Sequence, residues 1–235
     1  MQEEWAVGRE VDQAQLDAQV RAFVHRVYMW MTFALTLTAL AAVMTVSIPA
    51  LRDVVYKPTV MIGLIIAELG LVFVLSLAIG RLSSSAATGL FVVYSAVNGL
   101  TLSIIFFIYT SESIGSTFFV TAATFGAMSL YGYTTQRDLT SWGNLLFMAL
   151  IGLILASIVN LFMASSSLYW LITYGGVIIF VGLTAYDTQK IKLIGQQVAA
   201  DSEVGKKAAI IGALALYLDF INLFLYLLRL LGKRR

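Results

Sequence analysis

Two acids stand where a hydrophobic chain should least tolerate them. Asp187 closes the apolar run of "VGLTAYDTQKIK", and Asp219 lies inside "ALYLDFINLFLYLL". Ionisable groups at membrane depth are costly, so they face the bundle interior or a water-filled path and bind protons, cations or one another. Asp219 is nine residues past Ile210, about 14 Å along a helix axis, too deep for its short side chain to reach water. Its helical face continues through Gly212, Ala215, Asn222 and Tyr226. That stripe of small and polar groups suits either a lined pathway, with Asn222 and Tyr226 along it, or a close helix seam held by a protonated acid. Asp187 has two readings as well. It is a wet boundary residue followed by Gln189, Lys190 and Lys192, or it is submerged while Lys190 reaches outward past it. Glu68, in the second apolar run, suits the outer part of a water path or a neutral buried acid. Arg81, at the inner end of the same run, is the nearest candidate cation for an acid pair, or an ordinary boundary charge. Arg229 sits close enough to its helix end to extend outward.

Composition says what must carry these residues. The chain has 235 residues, 60% of them hydrophobic and only 12% charged, against roughly 25% charged in soluble domains. Seven apolar stretches approach the roughly 20 residues needed to span a bilayer: Val27–Ile48, Val60–Ile79, Ala86–Tyr109, Ser113–Tyr133, Gly143–Met163, Leu168–Tyr186 and Ala208–Leu231. The expected architecture is an all-α integral membrane protein. A polar cytoplasmic segment (residues 1–26) precedes a seven-helix transmembrane domain (27–231) and a basic tail (232–235). Residues 1–25 lack the pattern of a cleaved signal peptide, and Val11–His25 is expected to lead into the first span along the membrane surface. Lys190–Lys207 reads as a long charged loop. Without cysteine there is no disulfide or thiolate site, and the single His25 precedes the first span, which removes histidine-based catalysis.

Lysine and arginine concentrate at Arg9, Arg21, Arg26, Arg81, Arg137, Lys190, Lys192, Lys206 and Lys207, against Arg52 and Lys57 on the other side. That bias places the N-terminus in the cytoplasm. The tail "RLLGKRR" opposes it, because an odd number of spans carries that tail outside. The leucine and phenylalanine content of the last span nevertheless favours a full crossing. The net charge of +2 and its location at span ends describe topology, not a nucleic-acid surface. "GYTTQRD" after the fourth span and "AYDTQK" after the sixth are similar exits, two inner boundaries built alike or a trace of duplication.

"VGLTAYDTQKIK", an aspartate within the leucine-rich last span, and "GAMSLYGYTT" together resemble the Bax inhibitor-1 family, in particular its bacterial branch. The resemblance covers nearly the whole chain. It implies seven helices with the seventh central among the other six, in the bacterial inner membrane. It also implies a pH-sensitive calcium leak channel, in which Asp187 and Asp219 are the hydrogen-bonded sensor pair and calcium ligands, and Arg81 is the cation contacting them. The chemistry is coherent: calcium takes several oxygen ligands and dehydrates more readily than magnesium, and contacting carboxyls in low dielectric hold one proton between them. Calcium ions, protons and the lipid bilayer would be the partners, with no cofactor and no catalytic residue. A membrane-embedded modulator or adaptor of another membrane protein, without ion transport, is the alternative. The Gly-x-Gly-Asp of presenilin-like intramembrane proteases is missing, since Leu216, Tyr217 and Leu218 precede Asp219. A retinal protein would need a lysine within the last span.

Overall fold

The structure, a computed structural model, describes the backbone of residues 2–235 and the side chains of residues 13–235. Nine α-helices and one 3-10 turn follow each other among these residues, 88% of the chain being helical and no strand being formed. They are α1 (Gln2–Ser47), α2 (Pro49–Val55), α3 (Pro58–Leu77), a 3-10 turn (Ile79–Arg81), α4 (Ser84–Leu102), α5 (Ile105–Ile108), α6 (Ser111–Thr134), α7 (Thr140–Met163), α8 (Ser166–Gln197) and α9 (Glu203–Leu231). Seven segments are long and apolar enough to cross a membrane: α1 from Gln13, α3, α4 with α5, α6, α7, α8 and α9. Their outward residues are oily, as a lipid environment demands, with Leu77 and Leu161 80% exposed and Phe162 86%. The most apolar window of α9 is 61% buried, against at most 44% for any other span. This enclosure is what lets α9 carry an acid.

Local chemistry explains most boundaries. Pro49 and Pro58 each occupy the first helical position, where the missing N–H costs nothing and the fixed φ suits a helix start. Thr110 caps α6 by accepting from the Ser113 N–H at 3.2 Å. Ser202 does the same for α9 through Gly205 at 2.9 Å. Ala164 ends α7 in the left-handed region at φ 48°, and the Asn160 Oδ1 accepts from the next N–H, that of Ser165, at 3.0 Å.

Three expectations about these elements are corrected. The lead-in to the first span is not a separate surface segment, because α1 runs unbroken for 46 residues. The expected loop Lys190–Lys207 is mostly helix: α8 continues to Gln197 and α9 starts at Glu203. Lysine, glutamine and leucine there are good helix formers. The third span, expected as one helix, breaks at Ser103–Ile104, where i→i+3 bonds of 3.2 Å (Phe106 N to Ser103 O) and 3.1 Å (Phe107 N to Ile104 O) replace the α ladder.

The chain divides into two compact units. One comprises the chain up to Leu102 with Lys190–Leu214, the other Ser103–Gln189 with Ala215–Arg235. In the first, α4 packs against α1 and α3. Thr38 donates across that seam to the Ser95 carbonyl at 2.8 Å. Gly99 is small because a Cβ there would come within 2.6 Å of the Ala41 Cβ. The foot of α1 holds the α8–α9 connection: Gln19 Nε2 donates to the Gly195 and Val198 carbonyls at 3.1 and 3.0 Å, and Arg26 reaches the Ala200 carbonyl and Asp201.

In the second unit, edge-on aromatic contacts join α6 to α9. Phe220 meets Phe125 at 5.4 Å and Phe118 at 5.5 Å between ring centroids. The end of the chain is tied down rather than loose. Tyr109 and Arg234 form an antiparallel bridge, Thr110 N donates to the Lys233 carbonyl at 3.1 Å and Arg235 N to the Ile108 carbonyl at 3.0 Å.

Candidate functional site: an aspartate pair between the last two spans

The seam between α8 and α9 builds the site. Phe180 on α8 stacks on Tyr226 of α9 with centroids 5.8 Å apart, and Gly176, one turn earlier, lets the same Tyr226 ring lie against the α8 backbone. A Cβ on Gly176 would approach that ring to 2.6 Å. From this anchor, two turns forward on α8 leads to Asp187 and two turns back on α9 leads to Asp219. Antiparallel helices with equal offsets bring those positions level, and the Asp219 carboxyl is in side-chain hydrogen-bonding contact with Asp187.

Surroundings make the pair unusual. Asp219 is 4% exposed, flanked on its own helix by Leu216, Tyr217, Phe220 and Leu223, all buried. Asp187 is half-buried and followed by ten further residues of α8, so it is not the last residue of its helix. The second carboxyl oxygen of Asp219, Oδ2, has no hydrogen-bond partner among the described residues. Buried polar atoms are nearly always paired, which sets this oxygen apart from the other buried polar atoms of α9. Ser129 Oγ on α6 is the other buried side-chain atom of this kind, in the helix whose Phe125 touches Phe220. Its lone serine among small residues carried no signal in the sequence.

Gln189 positions the Asp187 turn. Its Nε2 donates to the Arg137 carbonyl at 2.8 Å and its Oε1 accepts from the Leu139 N–H at 2.9 Å, clamping α8 to the α6–α7 connection. The two similar exits, "TTQRD" and "DTQK", therefore meet through the glutamine of the second. Close backbone approach supports the clamp: a Cβ on Gly132 of α6 would fall onto the Ala185 backbone, and one on Gly143 of α7 onto the Tyr186 ring.

The remaining expected residues fall as follows. Asn222 donates to the Leu218 carbonyl of its own helix at 2.8 Å. Tyr226 is half-buried in the stack described, with the Arg229 guanidinium 5.2 Å over its ring. Glu68 on α3 faces α4, where it accepts from Thr101 Oγ1 at 2.5 Å and from Asn98 Nδ2 at 3.3 Å. Glu68 is thus a satisfied intramembrane acid in the first unit. Arg81 stands exposed in the 3-10 turn of the same unit, whereas both aspartates belong to the second. Among the described residues no group of three or more acidic, histidine or cysteine side chains converges that could hold a metal ion.

Seven apolar helices with an acid pair in the seam of the last two, one of the acids buried, define a polytopic helical membrane protein with an ionisable interior. The chain matches the family described as "Inhibitor of apoptosis-promoting Bax1" over residues 20–235, and it belongs to this Bax inhibitor-1 family. It is 56% identical over 220 residues to the inner membrane protein YbhL of Escherichia coli K12, covering 93% of this chain and 94% of that one. A Rickettsia prowazekii protein is 46% identical over 93% of this chain and 92% of its own. A Borreliella burgdorferi protein is 46% identical over 91% and 92%.

Proposed function

We propose that this protein is a pH-sensitive cation leak channel of the bacterial inner membrane, with calcium as the transported ion and the Asp187–Asp219 pair as its gate. One observation carries the reading: a buried carboxyl in contact with a second carboxyl and holding an unpartnered oxygen. Two carboxyls at that distance in an apolar seam are not both ionised; they share a proton and titrate as a unit. Losing the shared proton adds a second negative charge to the pair in a narrow, apolar seam. That charge favours cations over anions and repels itself, which loosens the contact between α8 and α9. Gaining it restores the closed seam. The name of the Escherichia coli relative supports an inner-membrane location.

The test is ion flux through the purified full chain in liposomes loaded with a calcium indicator, read from about pH 5 to pH 8. Wild-type protein is expected to give flux that varies across this range. Asp187→Asn and Asp219→Asn should each flatten the dependence, because an amide cannot titrate. The double variant should match either single one, as for residues acting as one unit. Absence of flux at every pH would sink the channel reading and leave the modulator or adaptor role. Unchanged pH dependence in both single variants would place the sensor elsewhere.

A further inference from the structure

A second feature lies wholly within the first unit, at the end of the spans where basic residues gather. The first turns of α4 and α9 and the foot of the apolar part of α1 enclose an open cavity of about 540 Å³. Its charged lining is Arg26 and Lys206, and no acid lines it. Hydroxyls of Ser84, Ser85 and Thr88 share the rim, while Trp30 is its apolar side, backed by the fully buried Ile210. Arg26, Ser84 and Lys206 each lie within a few residues of where an apolar span begins, the depth of phospholipid headgroups. Trp30, one turn further in, sits where tryptophan is enriched at a membrane interface.

The neighbouring acids are already engaged, and their bonds show which donors remain. Asp201 pairs with one Arg26 nitrogen at 2.5 Å and the Ala200 carbonyl takes another. That leaves further N–H groups on a five-donor guanidinium. Glu203 accepts from the Ser84 N–H at 2.6 Å and from its hydroxyl at 2.8 Å, so the start of α4 is satisfied by protein. Thr88 donates back to the Ser84 carbonyl at 2.9 Å. The Lys206 side chain makes no hydrogen bond among the described residues, and its charge acts on Asp201 and Glu203. Lys206 and Arg26 thus line a cavity with hydroxyls on one side and Trp30 on the other. Phosphate with an attached hydrocarbon has that same division.

We propose that this cavity binds the phosphate-bearing headgroup of an anionic phospholipid, with Arg26 and Lys206 on the phosphate and Trp30 against the glycerol and upper acyl chain. Basic pockets between spans are suited to such headgroups. The amphipathic lining selects a lipid over a free phosphate ion. The site is independent of the aspartate pair and of ion conduction.

The experiment measures lipid retention and thermal stability of the full chain in a neutral detergent. Phosphatidylglycerol, phosphatidylcholine and inorganic phosphate are titrated separately. Phosphatidylglycerol is expected to raise the melting temperature and to be retained in native mass spectra, whereas phosphatidylcholine at equal concentration is not. Lys206→Gln, which removes a side chain with no protein hydrogen bond, should weaken phosphatidylglycerol binding about fivefold. Arg26→Lys, which keeps the charge while losing the fork, should weaken it less. Lys57→Gln, at the opposite end of the spans, should leave it unchanged. Equal retention of both lipids, undiminished binding in Lys206→Gln, or protection by inorganic phosphate as great as by phosphatidylglycerol would each overturn the proposal.

Discussion

Asp219 and Asp201 are both aspartates near basic or acidic neighbours, yet burial makes them opposites. Asp219 is sealed among leucine, tyrosine and phenylalanine with a carboxyl as its partner, and its polar atoms are a liability to stability. Asp201 stands in water at the α8–α9 connection, where hydrogen bonding and charge from Arg26 hold its carboxyl below the usual carboxylate range. The sign for Asp201 follows from that depression: the unfolded chain binds its proton more readily. The pairing therefore contributes fully above about pH 3.9 and is lost as pH falls through the lower folded value. Amide exchange over residues 198–202 should accordingly rise below about pH 4 in wild-type protein. In Asp201→Asn it should already be raised at pH 7 and show no acid step. An acid step that survives in Asp201→Asn would assign the effect to another group.

Helix seams in this fold are set by glycines that admit a backbone or a ring. Gly132 takes the Ala185 backbone and Gly176 takes Tyr226, whereas Gly152 and Gly63 have open space around the position a Cβ would occupy. Backbone cannot yield as a flexible side chain can, and overpacking of this kind costs about 1–3 kcal/mol. Gly132→Ala should lower the melting temperature of the purified protein, while Gly152→Ala should leave it within error. Gly176→Ala should have a second effect, since it displaces the Tyr226 ring that sets the level of α9 against α8. If the pair gates flux, Gly176→Ala will shift the pH midpoint without touching either carboxyl; a changed melting temperature with an unchanged midpoint would confine Gly176 to packing.

Across the molecule, orientation and the chain end are linked. α9 is 29 uninterrupted residues, about 43 Å long, which exceeds the roughly 30 Å hydrocarbon core and leaves no re-entrant turn. Reporter fusions should place the N-terminus and residues 198–202 in the cytoplasm and Arg235 outside. A cytoplasmic Arg235 would contradict seven crossings. The basic tail is held to the molecule wherever it lies: its backbone is bonded to residues 108–110 and Lys233 N donates to Ser113 Oγ at 2.8 Å. Deleting residues 232–235 should therefore expose the 108–113 connection to proteolysis in right-side-out vesicles without reducing membrane insertion.

Much of this was legible from residue types, because a bilayer imposes a one-dimensional rule: about 20 apolar residues per crossing and costly charges kept few. Seven spans, their approximate limits and the two out-of-place acids all follow from counting along the chain. Counting could not bring Asp187 and Asp219 level. That depends on how far α8 continues past its apolar part and on where Tyr226 seats against Gly176, and both are properties of two helices packed together. It could not show that "DTQK" continues a helix, because polar helix and polar loop share the same residues until Gln189 finds the Arg137 carbonyl and the Leu139 N–H. Nor could it separate Glu68, satisfied by Asn98 and Thr101, from Asp219, whose Oδ2 is left without a partner. Hydrogen-bond satisfaction belongs to neighbours in space, and only the packed helices choose those neighbours.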